Sequence, residues 1–324
     1  MNILVNLALK GDILINWFNN DYNKLKIFLD SYKLNGIEAI LYNPGNLDSI
    51  PKDLVKGLHL IYWPMWLDLW LNNKENLYKE FLNDKNVLKY YGFNEKEGFI
   101  HKYNEEFESA KKLYCEYMVF HVSHISIEET YTRNFEYSNK KILSETIKLI
   151  NSVFIGEGPM LLFENLWSAG LNFLDYDLTK YFIENINYKN KGFVLDISHL
   201  LITNKNISTY TQAIDYINQV LNNLGDLKKY IKVIHLNKSC FDDYIRDNHN
   251  AKAKVSNEKI DFMEKLVDVY KHISKIDTHI PFEYSGISSI ITSINPDWLV
   301  YEFLPSDLSD WRKKIIIQNK YLMR

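Results

Sequence analysis

The chain is poor in the residues that mark several other protein classes. Its 324 residues include only 2 cysteines, 7 prolines and 12 glycines. Cys115 and Cys240 lie far apart in sequence and cannot form a disulfide framework, so we expect a reducing compartment, the cytoplasm. The scarcity of proline and glycine argues against long flexible linkers.

An excess of positive charge and long apolar runs are also missing. The formal net charge is −3, so no broad basic field favours nucleic acid, although a local basic groove is compatible with a balanced total. No uninterrupted apolar stretch has the length of a membrane helix, and we expect no membrane partner. The first residues, MNILVNLALKGD, lack the positively charged leader of a signal peptide.

Short apolar runs, separated by longer amphipathic segments, dominate what is present. Several runs are continuously apolar, which is typical of parallel strands that are buried on both faces. We predict eight strands, at residues 3–9, 37–42, 58–63, 117–122, 160–163, 193–197, 231–236 and 280–282.

Helical spacing of apolar residues between these runs predicts the helices. The segments 22–34, 141–150, 212–224 and 258–270 all show it. Alternating strands and helices in a chain of this length predict an α/β fold, a (β/α)8 TIM barrel forming a single domain over residues 1–324. An open doubly wound sheet is the competing topology, but a closed barrel better explains polar residues after so many strands.

Two stretches depart from the simple repeat. A long, aromatic-rich insertion at about residues 64–112 follows the third strand, and it is either a lid over the barrel mouth or a helical layer packed outside. A C-terminal extension at about residues 286–324 contains WLVYEF, which also looks like a strand. If that segment is the eighth barrel strand, Glu302 replaces Glu283 in the site.

Acidic and histidine residues recur at the ends of the apolar runs and in the turns after them. Imidazole and carboxylate are the ligands that zinc, manganese and iron take, and both are costly to bury unless they are paired or bound to a metal. We therefore predict a multinuclear metal site whose ligands are His59, His121, Glu164, Asp196, His199, His235, Asp247, His249 and Glu283, with Glu164 and Glu283 as catalytic residues.

The order of five short motifs resembles the xylose-isomerase-like barrel superfamily, and within it endonuclease IV most closely. The segments are HLIY at His59, ENLWSAG at Glu164, LDISH at Asp196, HLNKS at His235 and RDNH before Asn250. A more distant similarity is to multinuclear non-haem iron oxidases that modify peptides.

The resemblance implies roles for each position. His59 and His121 would hold one metal ion, and Glu164 would bridge to a second ion that is also held by Asp196, His235 and Glu283. A third ion would be held by His199, Asp247 and His249. The HVSH segment differs from the family pattern, so His124 is an alternative ligand to His121.

The resemblance further implies two or three divalent metal ions, zinc first and iron or manganese as alternatives. The leading functional hypothesis is metal-assisted phosphoester hydrolysis. The alternatives are a non-haem iron oxidase acting on a peptide, a sugar or sugar-phosphate isomerase or epimerase that uses one metal, and a non-catalytic metal-binding module. The substrate (small molecule, nucleic acid or peptide) and the oligomeric state stay open at this stage.

Overall fold

Eight parallel strands close into a barrel in the computed structural model, which describes residues 1–9, 11–42, 46–239, 241, 243–259 and 261–322. Each strand pairs with the next in sequence, and the last pairs with the first, so the (β/α)8 prediction is confirmed. The strands are β1 (Asn2–Leu9), β2 (Ile37–Leu41), β3 (Val55–His59), β4 (Tyr117–His121), β5 (Met160–Glu164), β6 (Lys191–Asp196), β7 (Ile231–Leu236) and β8 (Trp298–Tyr301).

The helices surround the barrel or lie in its connections. They are α1 (Gly11–Phe18), α2 (Tyr22–Ser31), α3 (Leu67–Leu71), α4 (Lys74–Phe81), α5 (Asp84–Tyr91), α6 (Glu97–Lys112), α7 (Ile127–Thr132), α8 (Asn139–Val153), α9 (Tyr176–Asn185), α10 (Ile197–Ile202), α11 (Tyr210–Leu224), α12 (Asp243–Arg246), α13 (Asn250–Asn257), α14 (Phe262–Ile276), α15 (Ile287–Ile294) and α16 (Leu308–Leu322). Short 3₁₀ turns cover Leu47–Ser49 and Gly225–Tyr230. Within the described ranges, no helix is both long and apolar enough to cross a membrane.

The barrel interior is a packed apolar core beneath a polar upper layer. Its apolar part is small and separate from the larger core between strands and helices, and it comprises Leu4, Tyr117, Val119, Leu162, Val194, Val233, Trp298 and Val300. The Tyr117 ring lies so close to β3 that a Cβ atom at Gly57 would be 2.3 Å from it, which explains why glycine occupies that position. The Tyr117 hydroxyl donates a hydrogen bond to Glu38, and this carboxylate begins the polar layer above.

The eighth strand differs from the predicted one. Residues 280–282 are not in the barrel, and Ile280 only forms an isolated antiparallel bridge with Lys238. Pro281 cannot donate to a strand ladder, whereas WLVY at Trp298–Tyr301 is continuously apolar and pairs with both β1 and β7. The predicted C-terminal extension therefore contains α15, the closing strand and α16.

The aromatic insertion after β3 forms α3 to α6 and packs mainly on itself. The Trp63 ring contacts Phe99 and Tyr103, with ring centroids 5.4 Å apart in both pairs, and Phe99 is fully buried. Trp66 donates its indole N–H to the Ser123 carbonyl above β4, which fastens this layer to the barrel. Of the two predicted arrangements, a lid or a helical layer packed outside the barrel, the cluster of Trp63, Phe99 and Tyr103 therefore fits the second.

Candidate metal centre

Parallel register brings the carboxyl ends of the strands to one rim. His121 at the end of β4 lies beside Glu164 at the end of β5, and Asp196 at the end of β6 lies beside His235 on β7. Since side chains at the same level of a barrel point to the same layer, these residues converge at the mouth.

Four groups of side chains among the described residues could each hold a metal ion, and within each group one ligand atom from every residue lies within 4.8 Å of the others. Three of them, called the three sets below, are His59, His121 and Glu164; Glu164, Asp196, His235 and Glu302; and His199, Asp277 and His279. The fourth group, Glu38, His59 and Glu302, shares two members with these sets. Glu164 belongs to two sets, and its Oε1 is 3.0 Å from His199 Nδ1, so the three sets form one connected centre.

Hydrogen bonds outside the centre orient its imidazole rings. His235 Nε2 lies 3.2 Å from its hydrogen-bond partner, Glu38 Oε2, and a proton on this nitrogen leaves the Nδ1 lone pair facing Glu164 and Glu302. His199 Nδ1 is 3.0 Å from the Asn165 carbonyl, and its Nε2 faces Asp277 at the same distance. Both rings therefore have a partner that selects the tautomer needed for a ligand.

Two asparagines fix the carboxylates. Asn165 exchanges two hydrogen bonds with the backbone of Asp196, which ties the end of β5 to β6. Asn237 donates to Asp196 Oδ2 at 2.8 Å and to Glu302 Oε2 at 2.9 Å. The other oxygen of Asp196 accepts the backbone N–H of His199 and thereby caps α10. Both oxygens of Asp196 and one oxygen of Glu302 therefore accept a hydrogen bond.

Buried ligand atoms without hydrogen bonds provide a test of whether metal ions fit. Among the described residues, both ring nitrogens of His121, Glu164 Oε1 and His235 Nδ1 are buried and form no hydrogen bond. Yet His121 Nε2 lies 3.1 Å from Glu164 Oε2, and His235 Nδ1 lies 3.3 Å from Glu302 Oε2. Buried ligand atoms that lie this close without a hydrogen bond need another partner, and a metal ion between them would provide it. The donor set therefore fits divalent cations.

The mutual charges of the centre shift the pKa values of its groups. Burial lowers the pKa of His121 and outweighs the opposing effect of Glu164, which favours the neutral imidazole that binds metals. Burial also disfavours a charged His59, but the hydrogen bond and charge of Glu164 raise its pKa to about 9. Burial raises the pKa of Asp196 to about 7, against the attraction of His199. Cations at this centre would therefore displace protons.

Three predicted ligands lie away from the centre. Asp247 and Glu283 are exposed, and neither belongs to any of the three sets. His249 is the N-cap residue of α13. Its Nε2 lies 2.8 Å from the Tyr244 carbonyl oxygen, and its ring packs on His272. The alternative ligand His124 is also elsewhere, since its Nδ1 accepts the Leu67 N–H and its Nε2 faces Asp68.

Asp277, His279 and Glu302 occupy the positions that had been assigned to these three residues. Asp277-Thr278-His279 repeats the Asp-x-His spacing of Asp247-Asn248-His249, but it follows α14, and the bridge between Lys238 and Ile280 returns it to the rim. His279 has φ = +44°, an uncommon backbone conformation that is typical of functional sites. The second Asp-x-His was visible in the sequence, and Glu302 was the stated alternative to Glu283. Glu38 could not be singled out from the sequence, because it is an isolated acidic residue inside β2.

A pocket of about 340 Å³ opens onto the three sets. Its floor includes His59, His121, His199, Asp277, His279 and Glu302. Its walls are apolar and aromatic, and they come from the ends of β2 and β3, the turn after β5, and α14. This volume lies in the range of small-molecule sites.

Solved structures align with almost the whole chain at low sequence identity. The structure of AsfvAP:AG aligns with a TM-score of 0.55 and 12% identity over 99% of this chain and 97% of that one. D-psicose 3-epimerase in the presence of D-fructose aligns with a TM-score of 0.51 and 10% identity over 99% and 97%. Endonuclease IV from Thermus thermophilus aligns with a TM-score of 0.49 and 12% identity over 99% of both chains.

A comparison with curated protein sequences found no match. A family model does match the sequence, over residues 91–296, which is more than half of the chain. The matched range includes β4 to β7 and most of the rim residues described above. On this match, and with the closed eight-stranded barrel, the chain belongs to the xylose isomerase-like TIM barrel family.

Proposed function

We propose that this protein is a metal-dependent phosphoester hydrolase with three divalent ions, zinc first and iron or manganese as alternatives. The connection of the three ligand sets through Glu164 carries the proposal. A carboxylate shared by two sets favours adjacent cations, and adjacent cations are typical of enzymes that cleave phosphate esters.

Bound ions would supply a nucleophile from water near neutral pH and would offset the negative charge that develops on the phosphoryl and leaving oxygens. The chain's own residues position the reactants. Glu164 presents one oxygen to His59 and His121 and the other to His199, so it spaces the three sets. The apolar pocket walls limit the water that reaches this floor.

Tyr62 adds a hydrogen-bonding group to the pocket wall. Its ring packs edge-on against His121 at 4.5 Å, and its hydroxyl is hydrogen-bonded to Ser123. Burial raises the pKa of Tyr62 to about 12, while Ser123 acts in the opposite direction, so the hydroxyl keeps its proton at neutral pH. We infer that it donates to a phosphoryl oxygen when Ser123 donates to it.

Sugar epimerisation is the second candidate, and one observation favours it. Glu164, Asp196, His235 and Glu302 alone form a four-residue set that could hold a single ion. A protein described as D-psicose 3-epimerase also has a similar fold. This reaction, however, leaves His199, Asp277 and His279 without a role.

The test starts from metal content, measured by elemental mass spectrometry on protein purified anaerobically without added metal or chelator. The same samples are then assayed for hydrolysis of bis(p-nitrophenyl) phosphate and for epimerisation of D-fructose. Several zinc or manganese ions per chain, with hydrolysis that Glu164→Gln abolishes, are expected. A single ion with epimerisation would replace the proposal by the second candidate. Iron without hydrolysis would favour an oxidase, and bound metal without any turnover would favour a binding module.

A further inference from the structure

The pocket above the metal centre has aromatic and aliphatic walls. Tyr42, Tyr62, Trp167 and Tyr270 line it, together with aliphatic side chains such as Ile125 and Ile273. Flat surfaces of this kind favour the stacking of a planar group.

Positive charge is missing from the walls. Among the described residues that line the pocket, none is lysine or arginine. The Arg133 guanidinium lies 5.4 Å from the Trp167 ring, and it donates to the Ile202 carbonyl. A polynucleotide presents many phosphates, and proteins that bind one neutralise several of them with lysine or arginine. The walls offer no such contacts, so one phosphate facing the metal ions is the charge that this pocket accommodates.

The wall formed by α14 is fixed along its length. At its start, the Phe262 ring packs on Phe81 of α4 at 4.8 Å. Near its end, the His272 ring stacks on Tyr131 of α7 at 4.3 Å, and His272 Nε2 donates to the Thr130 carbonyl. Because packing and a hydrogen bond hold both ends, Tyr270 and Ile273 stay beside the pocket.

The polar groups of the walls belong mainly to aromatic side chains. Apart from the residues of the ligand sets, the polar side chains that line the pocket are Tyr42, Tyr62, Trp167, Ser168 and Tyr270. Four of these five carry a ring whose face can pack on a planar group.

We propose that the substrate is a small phosphoester whose leaving group or ester substituent is a flat aryl group or nucleobase that packs on Trp167 and Tyr270. The inference rests on the proposed hydrolysis and names its substrate class. In the reaction, the oxygen of one water forms a bond to phosphorus. The ester P–O bond breaks with its electron pair on the departing oxygen, and a proton from the water ends on that oxygen.

The experiment uses the full chain with the metal that it carries on purification. The probes are bis(p-nitrophenyl) phosphate, a duplex oligonucleotide that contains one abasic site, and inorganic phosphate as an inhibitor. The variants are Trp167→Ala, its conservative counterpart Trp167→Phe, and Tyr270→Ala, whose side chain is 59% exposed and therefore safe for folding. Val267→Ala, at an exposed position of the same helix, is the matched control.

Trp167→Ala and Tyr270→Ala are expected to raise KM for the aryl diester about tenfold, since one aromatic stack contributes on that scale. Trp167→Phe and Val267→Ala should stay within about twofold of the parent. The inhibition constant of inorganic phosphate should not change in any variant, because phosphate reaches only the metal centre.

Three outcomes would overturn the inference in distinguishable ways. Higher kcat/KM for the abasic duplex than for the diester would reject the small substrate and leave hydrolysis intact. An unchanged KM in both alanine variants would show that the substrate does not pack on Trp167 and Tyr270. Loaded protein that cleaves none of these esters would reject the proposed hydrolysis itself.

Discussion

At the residue scale, the His235 ring lies between a carboxylate below and the proposed ligand sets above. Glu38 is fully buried, and its side chain contacts both His235 Nε2 and the Tyr117 hydroxyl. A carboxylate in this position fixes the ring and makes its other nitrogen a better electron donor. We infer that Glu38 positions His235, and it also belongs to the fourth group, with His59 and Glu302, that could hold an ion.

Glu38→Gln should weaken metal binding. The amide keeps the size of the side chain and can accept from His235, but it lacks the negative charge that supports a cation nearby. We expect the metal affinity to fall roughly 10- to 100-fold, the usual effect of losing such a partner. Competition with a chromophoric chelator measures the metal affinity of each protein. Glu75→Gln, at an exposed position of α4, is the control, and equal affinity in parent and Glu38→Gln would exclude the positioning role.

At the element scale, the segment between β7 and β8 decides which Asp-x-His pair reaches the rim. Helices α12, α13 and α14 intervene, so the first pair, Asp247 with His249, lies beside α13 while the second follows α14. Both segments have the same Asp-x-His spacing, so the local sequence does not distinguish them. The position of α14 against α7, and the short bridge at Ile280, bring the second pair to the metal centre.

Asp277→Asn and Asp247→Asn form a matched pair that tests this placement. Asp277 Oδ2 lies 3.0 Å from His199 Nε2 and 3.2 Å from His279 Nε2, whereas Asp247 is exposed. We expect Asp277→Asn to lose the ion of that set, because the amide is a far poorer ligand, and Asp247→Asn to retain the full metal content. Elemental analysis measures the number of metal ions per chain in each variant. Loss of an ion in Asp247→Asn but not in Asp277→Asn would instead place the site at Asp247 and His249.

A second prediction at this scale concerns the contact between α4 and α7. Glu80 accepts the Ile127 N–H at the start of α7, and burial raises its pKa from 4.5 to about 7 despite that bond. The folded state therefore holds this proton more tightly than the unfolded state. The resulting stabilisation is complete below pH 4.5 and is lost as the pH rises towards 7.

Glu80→Gln should remove this dependence on pH. Glutamine can still accept the Ile127 N–H, and it carries no proton to lose. Between pH 5 and 8, the metal-free parent should lose about 1–2 kcal/mol more of its unfolding free energy than the variant, a figure reduced for partial exposure. Urea unfolding with chelator present at both pH values measures the difference. Glu75→Gln should show the same pH dependence as the parent. If Glu80→Gln also loses as much unfolding free energy between pH 5 and 8 as the parent, the raised pKa of Glu80 is refuted.

Elements with continuous patterns were easier to predict than their ends. The predicted strands 37–42, 117–122 and 231–236 differ from the observed ones by a residue at most, because apolar runs must be buried whatever the topology. The helix predicted at 258–270 is observed at Phe262–Ile276, since apolar spacing does not mark where the cap lies. Asp261 supplies that cap by accepting the Glu264 N–H.

At the scale of the whole molecule, the centre concentrates buried charge that metal ions would neutralise. Glu164, Asp196, Glu302 and Glu38 are at least nine-tenths buried, close to His235. Without cations, protons must offset this charge, so metal binding is expected to stabilise the fold.

Addition of zinc to the metal-free protein should therefore raise its Tm. At a free concentration about 100 times the Kd, each bound ion adds about 2.7 kcal/mol, which corresponds to a shift of several degrees in a chain of this size. Thermal unfolding with and without chelator measures it. Magnesium, which takes oxygen ligands, should give a smaller shift. An equal Tm with and without zinc would contradict a metal-binding centre.

The sequence by itself determined the barrel and most of its rim. Alternation of apolar runs and amphipathic segments specifies a (β/α)8 fold, and residues at strand ends must meet at one rim because parallel strands share a direction. His59, His121, Glu164, Asp196, His199 and His235 were predicted in this way, and all six lie in the three sets, while their role as metal ligands stays a prediction.

Tertiary structure alone decided the rest. Asp277 and His279 come from a loop that returns after a long excursion, and Glu302 depends on which apolar run closes the barrel. Such choices rest on contacts between segments far apart in sequence, such as the pairing of Trp298–Tyr301 with both β1 and β7. No local sequence pattern specifies these contacts, because the free energy that stabilises them comes from packing between segments that are distant in sequence.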